Sequence, residues 1–470
     1  MYRNHIIAIL IIWALATPTL LAQELLSLER CRQMALQHNE NLRIAALQAE
    51  QARQQQAATR TLRLPSFSAT GTALYQDKDF SMEMFLPTQV PNPITGQLEP
   101  NIMINPMTGQ PVIGPDGNPV FNMYAWLPLE VSLSGAYILG VALEQPLYTG
   151  GKISAGNRMA TIGVEMASDN LALQRMHTLV AADNAYYTYV SVLQKVQLAQ
   201  QAVDLLAEVL QRVRNSQEVG MASRNDLLKV QVEYNAALLN LQKARNGLEL
   251  SRMDLNRIIG MPFDTPLLAT DTLVDAQPLL LAELAAPNIS QRPEYRLLEQ
   301  QVRMSEQNIR MARADYLPTA GLQAGYNHIG GIEVSGTDFS NTSLNVMGSV
   351  KIPLFQWGQG VRKVSAARIG MEMQQLELEK NSQLMELEAQ QARLNLLLAW
   401  ERIQMGQAAL EQAQENLRVS RDHYELGMET ITELLMAQTQ WQQAHTDLIE
   451  ARADYRMKET AWRKASGRFD

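Results

Sequence analysis

Few residues in this 470-residue chain could do chemistry, and two of them occupy equivalent places. Ser223-Arg-Asn-Asp226 and Thr430-Ile-Thr-Glu433 each set a hydroxyl three residues before an acid, shortly after Gly220-Met221 and Gly427-Met428. Glycine suits the left-handed position that ends a helix. A hydroxyl followed three residues later by an acid fits the capping box, in which both groups satisfy orphan backbone N–H groups at a helix start. Asp226 and Glu433 therefore have a sufficient structural task, and any functional one must come from where the turn sits.

Other chemistries find little support. Six scattered histidines and the single cysteine, Cys31, supply neither a nucleophile and base pair nor zinc spacing. Cys31 cannot form an intrachain disulfide and falls in a helical pattern as a small hydrophobe. No phosphate-cradling glycine loop occurs. Met82-Glu-Met84 with Met103, Met107 and Met123 offers thioethers that suit Cu(I), but apolar loop packing explains them better. The chain is expected to be no enzyme and to hold no metal and no cofactor. A net charge of -8 argues against nucleic acid as a partner.

The elements that must position the two acids come in duplicate. PLYTGG at 146–151 and PLFQWG at 353–358 stand 207 residues apart, and that offset runs forward without a gap. Val219-Gly220-Met221 falls on Leu426-Gly427-Met428, Asp226 on Glu433, and Gly260 on Gly467. Backwards the offset becomes 253, with Leu64-Pro65 on Leu317-Pro318, so the first copy carries an insertion of 46 residues in one loop. That insertion contains Asn92-Pro-Ile-Thr-Gly-Gln97, nearly repeated as Asn105-Pro-Met-Thr-Gly-Gln110, then Gly114-Pro-Asp-Gly-Asn-Pro119, all turn-forming sequences. Three copies could narrow an exit or meet a surface partner, and a solvated loop with no task fits equally well.

Arg3, the apolar run Ile6 to Ala16 and the small residues before Gln23 read as a secretory signal cut after Ala22. The apolar core is too short to anchor the chain across a bilayer of roughly 30 Å. No later stretch of 18 apolar residues occurs, so an exported chain of this kind is either soluble or crosses a membrane as β-strands. Residues 67, 69, 71, 73 and 75 are Phe, Ala, Gly, Ala and Tyr around Ser68, Thr70 and Thr72, and Leu344, Val346, Val350 and Ile352 alternate with Asn345, Ser349 and Lys351. Period two over about ten residues suits a membrane barrel strand and equally a soluble half-buried sheet. Lys152 to Glu218 and Gln359 to Glu425 contain no proline and would form helices roughly 100 Å long. Apolar residues on more than one helix face suit packing between neighbours on both sides. Four strands cannot close a barrel, and open edges are not tolerated in lipid. Three chains would give twelve strands and a backbone diameter of roughly 24 Å.

With these residues in view, the chain resembles the TolC-type outer-membrane efflux family over essentially all of its mature length. The resemblance rests on the duplicated strand, loop, strand, long helix layout, on PLYTGG and PLFQWG, and on the Val-Gly-Met and Leu-Gly-Met tips. It implies a mainly α fold with a β-barrel portion: a trimeric twelve-strand barrel, four strands per chain, continued by a long antiparallel coiled-coil α-barrel built from two repeats. The expected segments are the signal peptide 1–22, helices 23–66, a first hairpin 67–147 with an extracellular loop over about 76–131, and helix, tip and return helix 148–262. A linker 263–290, a helix 291–318, a second hairpin 319–353 and a second long helix, tip and return helix 354–470 follow. Pro146, Leu147, Tyr148, Pro353, Leu354 and Phe355 would mark the strand to helix junctions.

The resemblance further implies a homotrimer in outer-membrane lipid, a periplasmic adaptor (membrane fusion protein) and an inner-membrane transporter as partners, and passive exit of drugs or of secreted protein. The tips Val219, Gly220, Met221, Leu426, Gly427 and Met428 would contact the adaptor. In the family the second tip carries two acids that ring the entrance, with a tyrosine and an arginine that tie it shut. Glu433 matches the first acid and Tyr424 the tyrosine, with Asp226 as its partner. Met436 stands where the second acid is expected, and Glu429 replaces the arginine. One acidic ring and a weaker tie are the expectation. The competing reading from another class is a soluble periplasmic coiled-coil scaffold.

Overall fold

The computed structural model describes residues 25–87, 89–91, 95–115, 117–120, 122, 126–270, 277–278, 286–334 and 337–469, so the expected signal peptide and much of the linker lie outside the described residues. The chain divides into two compact units, residues 1–56, 159–306 and 368–470 in one, and 57–158 and 307–367 in the other.

The first unit is helical. Seven α-helices run through the described residues: α1 (Leu28–His38), α2 (Glu40–Thr61), α3 (Lys152–Glu218), α4 (Arg224–Ile259), α5 (Pro293–Ala314), α6 (Gln359–Glu425) and α7 (Ile431–Ala465). Both α3 and α6 have 67 residues, and their ends stand 207 apart, as the repeat demands. Asn39 separates α1 from α2, because its side-chain oxygen accepts from the Leu42 N–H at 3.0 Å and caps a new helix. The buried core has one cluster around Cys31, Ala35, Tyr186, Val190, Leu255 and Ile259, and another around Ala389, Leu396, Ile403, Tyr455 and Trp462. Alanines opposite large residues let neighbouring helices approach closely. Where α4 ends, Gly260 has φ +76° and an added Cβ would lie 2.2 Å from His38 Cβ. At the repeat-equivalent end of α7, a Cβ on Gly467 would lie 2.5 Å from the Asn288 carbonyl oxygen. Each return helix thus butts against the chain that leads into the next short helix.

The second unit holds an antiparallel sheet in the order β2-β5-β7-β8, formed by β2 (Ser66–Pro87), β5 (Trp126–Thr149), β7 (Thr319–Val334) and β8 (Thr337–Lys351). A two-residue parallel pair, β1 (Leu25–Leu26) with β6 (Leu268–Ala269), belongs to the helical unit. Register sorts the residues onto two faces. Phe67, Leu143, Ala324 and Val346 align on one, and Ser66, Glu144, Gln323 and Met347 on the other. The first face continues as Val141, Tyr326 and Leu344, and the second as Thr70, Asn327 and Ser343.

The loop expected over about 76–131 is shorter than that, because the ladder resumes after an irregularity between Tyr75 and Phe80 and runs to Pro87 opposite Trp126. Register there sets Phe80 opposite Leu133, Met82 opposite Val131 and Glu83 opposite Glu130, so the period-two alternation persists. Met82 and Met84 are therefore strand residues; their side chains and Met123 lie outside the described residues, while Met107 is fully exposed. The rest of the insertion folds on itself. The hairpin β3 (Gln89–Pro91) with β4 (Leu98–Pro100) surrounds the first Asn-Pro-x-Thr-Gly-Gln motif. The second makes a tight turn in which Asn105 N–H donates to the Gln110 carbonyl at 2.9 Å.

The junction motifs differ between copies. Pro146, Leu147 and Tyr148 sit inside β5, with a bulge between Pro146 and Tyr148, whereas β8 ends at Lys351, before Pro353, Leu354 and Phe355. Both junctions then use two successive left-handed residues, Gly150 and Gly151 in the first copy and Trp357 and Gly358 in the second. A Cβ on Gly150 would lie 2.6 Å from the Ala314 carbonyl oxygen, while exposed Trp357 packs edge-on against Phe355. Gly150→Ala is expected to cost about 1–3 kcal/mol and to lower the thermal midpoint, while Trp357→Gly, which removes strain instead, leaves it level or higher. Parallel melts of the two variants check this.

Candidate functional site

The two helix ends that carry the candidate residues are closed alike. At the end of α3, Met221 N–H donates to the Ser216 carbonyl at 2.7 Å and Gly220 N–H to Gln217 at 3.1 Å; at the end of α6, Met428 N–H donates to His423 at 2.8 Å and Gly427 N–H to Tyr424 at 3.1 Å. Gly220 and Gly427 have φ +75° and +74°, the left-handed geometry this double closure needs. Both return helices start in capping boxes. Ser223 Oγ accepts from Asp226 N–H at 3.1 Å, and Thr430 N–H donates to Glu433 Oε2 at 2.7 Å. Those bonds to Thr430 hold the Glu433 carboxyl below the ordinary carboxylate range. Only Oε2 is engaged in the cap, which leaves Oε1 to solvent.

Beneath the turns, Val209, Val213, Val230, Ile431 and Leu434 form one buried cluster with Leu417 and Tyr424 against it, so all four helices meet there. Above it, Val219, Met221, Leu426 and Met428 are strongly exposed. The apolar residues that pack the bundle end at Val213 and Tyr424, and those that face outward follow within six residues, at Val219 and Leu426.

The tie between Tyr424 and Asp226 is not closed. Asp226 Oδ2 is taken by the Ser223 hydroxyl at 2.6 Å, its other oxygen lies 3.8 Å from Lys229, and no Tyr424 to Asp226 hydrogen bond forms. Burial first, and then the Asp226 charge, raise the Tyr424 phenol above its ordinary value. Glu429 faces His423 instead, with Oε1 at 3.1 Å from Nδ1, and Met436 is exposed beside Leu228 and Val232. What joins the two long helices is a set of ions the sequence reading did not single out. Arg421 Nη2 lies 3.0 Å from Glu208, and Arg212 pairs with Glu425. Lys229 Nζ donates to Thr432 Oγ1 at 3.1 Å between the return helices. Their sequence signal is the mirrored order Glu208-x-x-x-Arg212 and Arg421-x-x-x-Glu425.

These capped hairpins, each at the end of a 67-residue helix, and the four-stranded sheet match a known family. The model for "Outer membrane efflux protein" covers residues 31–261 and 288–468. This chain belongs to that family. Family membership places it in the outer membrane as a channel protein and sets aside the soluble scaffold. The match breaks between residues 261 and 288, the segment read as the inter-repeat linker.

Among efflux-family relatives, the alkaline protease secretion protein AprF of Pseudomonas aeruginosa is 23% identical over 333 residues, covering 70% of this chain and 68% of that protein. The toluene efflux pump outer membrane protein TtgC of Pseudomonas putida is 23% identical over 458 residues, covering 94% and 83%. In fold, the CmeC outer membrane channel of Campylobacter jejuni superposes with a TM-score of 0.72 at 15% identity, covering 94% of this chain and 86% of that one. The open state of the Neisseria gonorrhoeae MtrE outer membrane channel gives 0.68 at 19% identity, covering 94% and 88%.

Proposed function

We propose that this efflux-family chain forms, as a homotrimer, the passive exit duct of a tripartite pump or type I secretion system. A periplasmic adaptor and an inner-membrane transporter supply engagement and energy. The observation that carries the reading is the sheet order: β2 and β8 are both unpaired edges, and four strands are too few to close in lipid. Pairing β8 of one copy with β2 of the next closes twelve strands from three chains. The face with Phe67, Val141, Tyr326 and Leu344 suits lipid, and the face with Thr70, Asn327 and Ser343 suits an aqueous lumen. The relatives' printed roles, protease secretion and toluene efflux, both fit a duct of this kind.

The gate in this reading is the tip. Exposed Val219, Met221, Leu426 and Met428 around Gly220 and Gly427 offer the adaptor an apolar contact. Glu433 caps α7 with one oxygen and presents the other to the entrance, while Asp226 caps α4 in the equivalent place. Purified protein in planar bilayers tests the assignment. Small cation-selective currents are expected, and Glu433→Gln, which keeps an acceptor for the cap, should weaken cation selectivity and block by a trivalent cation severalfold. Unchanged selectivity and block would remove Glu433 from the pore.

A further inference from the structure

Away from the tips, the helical unit holds a cavity of about 470 Å³ between α3, the start of α5 and the end of α7. Arg175, Arg292, Arg296 and Lys464 line it, together with Gln291 and Phe469, and among the described residues no carboxylate does. Arg292 is only 3% exposed. Its Nη2 is shared by Glu294 at 3.2 Å and Glu388 at 2.8 Å, its Nη1 donates to the Ala465 carbonyl at 3.5 Å, and Arg296 Nη2 holds Asp169 at 2.8 Å. These three acids fix the two guanidinium groups and leave donors over. Arg292 Nε and Arg296 Nε are both buried with no acceptor. The side chains of Arg175 and Lys464 form no ion pair or hydrogen bond among the described residues.

A buried N–H without an acceptor is uncommon, and two on residues that line one cavity call for an acceptor there. The first turn of the 22-residue helix α5 opens on the same space, which adds the positive end of a helix dipole. Four basic residues line the cavity, Arg175 from α3, Arg292 just before α5, Arg296 from α5 and Lys464 from α7. A planar carboxylate has two oxygens and cannot meet them all, whereas a tetrahedral oxyanion has four, and arginine matches its geometry. We infer that this cavity, framed by Arg175, Arg292, Arg296 and Lys464, is a binding site for a phosphate-class oxyanion, either the free ion or a phosphomonoester headgroup.

The acceptor could otherwise be this chain's own Asp470, next in sequence to Phe469, so the test includes it. Thermal unfolding of the detergent-purified full chain is followed against inorganic phosphate and against glycerol 3-phosphate, with chloride at matched ionic strength as the control. A saturable rise in midpoint with either phosphate but not with chloride is expected. Arg175→Gln combined with Lys464→Gln should weaken that response at least tenfold in apparent affinity. Both residues lack ion partners, so this variant should fold even if an Arg292 variant does not. A stronger response to inorganic phosphate identifies the free ion, and a stronger response to the ester identifies a headgroup. No saturable response, or an equal one in the double variant, overturns the site. Phosphate binding that emerges only in Asp470→Asn overturns it too, by making Asp470 the occupant.

Discussion

Asp183→Ala is expected to destabilise the helical unit by about 3–5 kcal/mol, the cost of stranding a paired charge in a protein interior. Asp183 is fully buried on α3, where Arg32 from α1 grips it with Nε on Oδ1 at 2.7 Å and Nη2 on Oδ2 at 2.8 Å. Thr460 from α7 donates to Oδ2 at 3.0 Å, so one carboxylate joins three helices. The hydrogen bond and charge of Asp183 raise the Arg32 guanidinium above its ordinary value, against the pull of its own burial. Removing the acid leaves that partly buried cation beside Tyr187 with only the exposed Glu29, 3.6 Å from Nη1, to balance it. Thr460→Val removes one neutral donor and should cost only about 1 kcal/mol. Replacing both Arg32 and Asp183 with apolar residues of similar volume should recover most of the loss, since a buried pair contributes little net once both desolvation costs are gone. Thermal melts of the three variants read the contrast. If Asp183→Ala melts like Thr460→Val, the pair does not anchor α1.

That network shows where sequence reading stops. The ends of α3 and α6 were legible to the residue because glycine, hydroxyl and acid stand at fixed spacings and the 207 offset repeats them. Each signal is local, so tertiary contacts do not alter it. The first and last strands were legible from alternation and the two between them only from the repeated layout, but their limits were not, since the irregularity between Tyr75 and Phe80 masks the resumption of pairing up to Pro87. Trp357 in the left-handed region was also hidden, because its repeat partner is a glycine and nothing nearby in sequence announces that an exposed loop can hold tryptophan there. Asp183 and Arg32 are 151 residues apart, and only the apolar run Leu179-Val-Ala-Ala-Asp-Asn-Ala-Tyr186 around the acid hints that it must find a cation. At the tips the resemblance supplied Tyr424 and Asp226 as a tie, yet the cap occupies Asp226, and the helices are joined through Glu208, Arg212, Arg421 and Glu425.

The second large effect follows from that last substitution of partners. Glu208→Gln combined with Glu425→Gln should shift the closed tip toward the open one by about 5- to 30-fold, because two half-exposed ion pairs contribute roughly 1–2 kcal/mol together. Both acids lie on the long helices, Glu208 three turns and Glu425 less than one before their glycines, and both pair with an arginine of the other hairpin. An opening that slides one hairpin past the other must break these two contacts, whereas the capping boxes lie within each hairpin and can move with it. The pairs are solvent-exposed, so salt should imitate the mutation: beyond the rise in single-channel conductance that any aqueous pore shows, raising ionic strength ought to increase the open probability of the parent protein and leave that of the double variant nearly flat. Tyr424→Phe, by contrast, should change conductance little, since the phenol makes no bond to Asp226. Bilayer recordings at two salt concentrations separate the alternatives. A large response to Tyr424→Phe with none to the double variant would return the tie to Tyr424 and Asp226. The opposite pattern would make the crossed pairs the closure that the missing arginine leaves to be supplied.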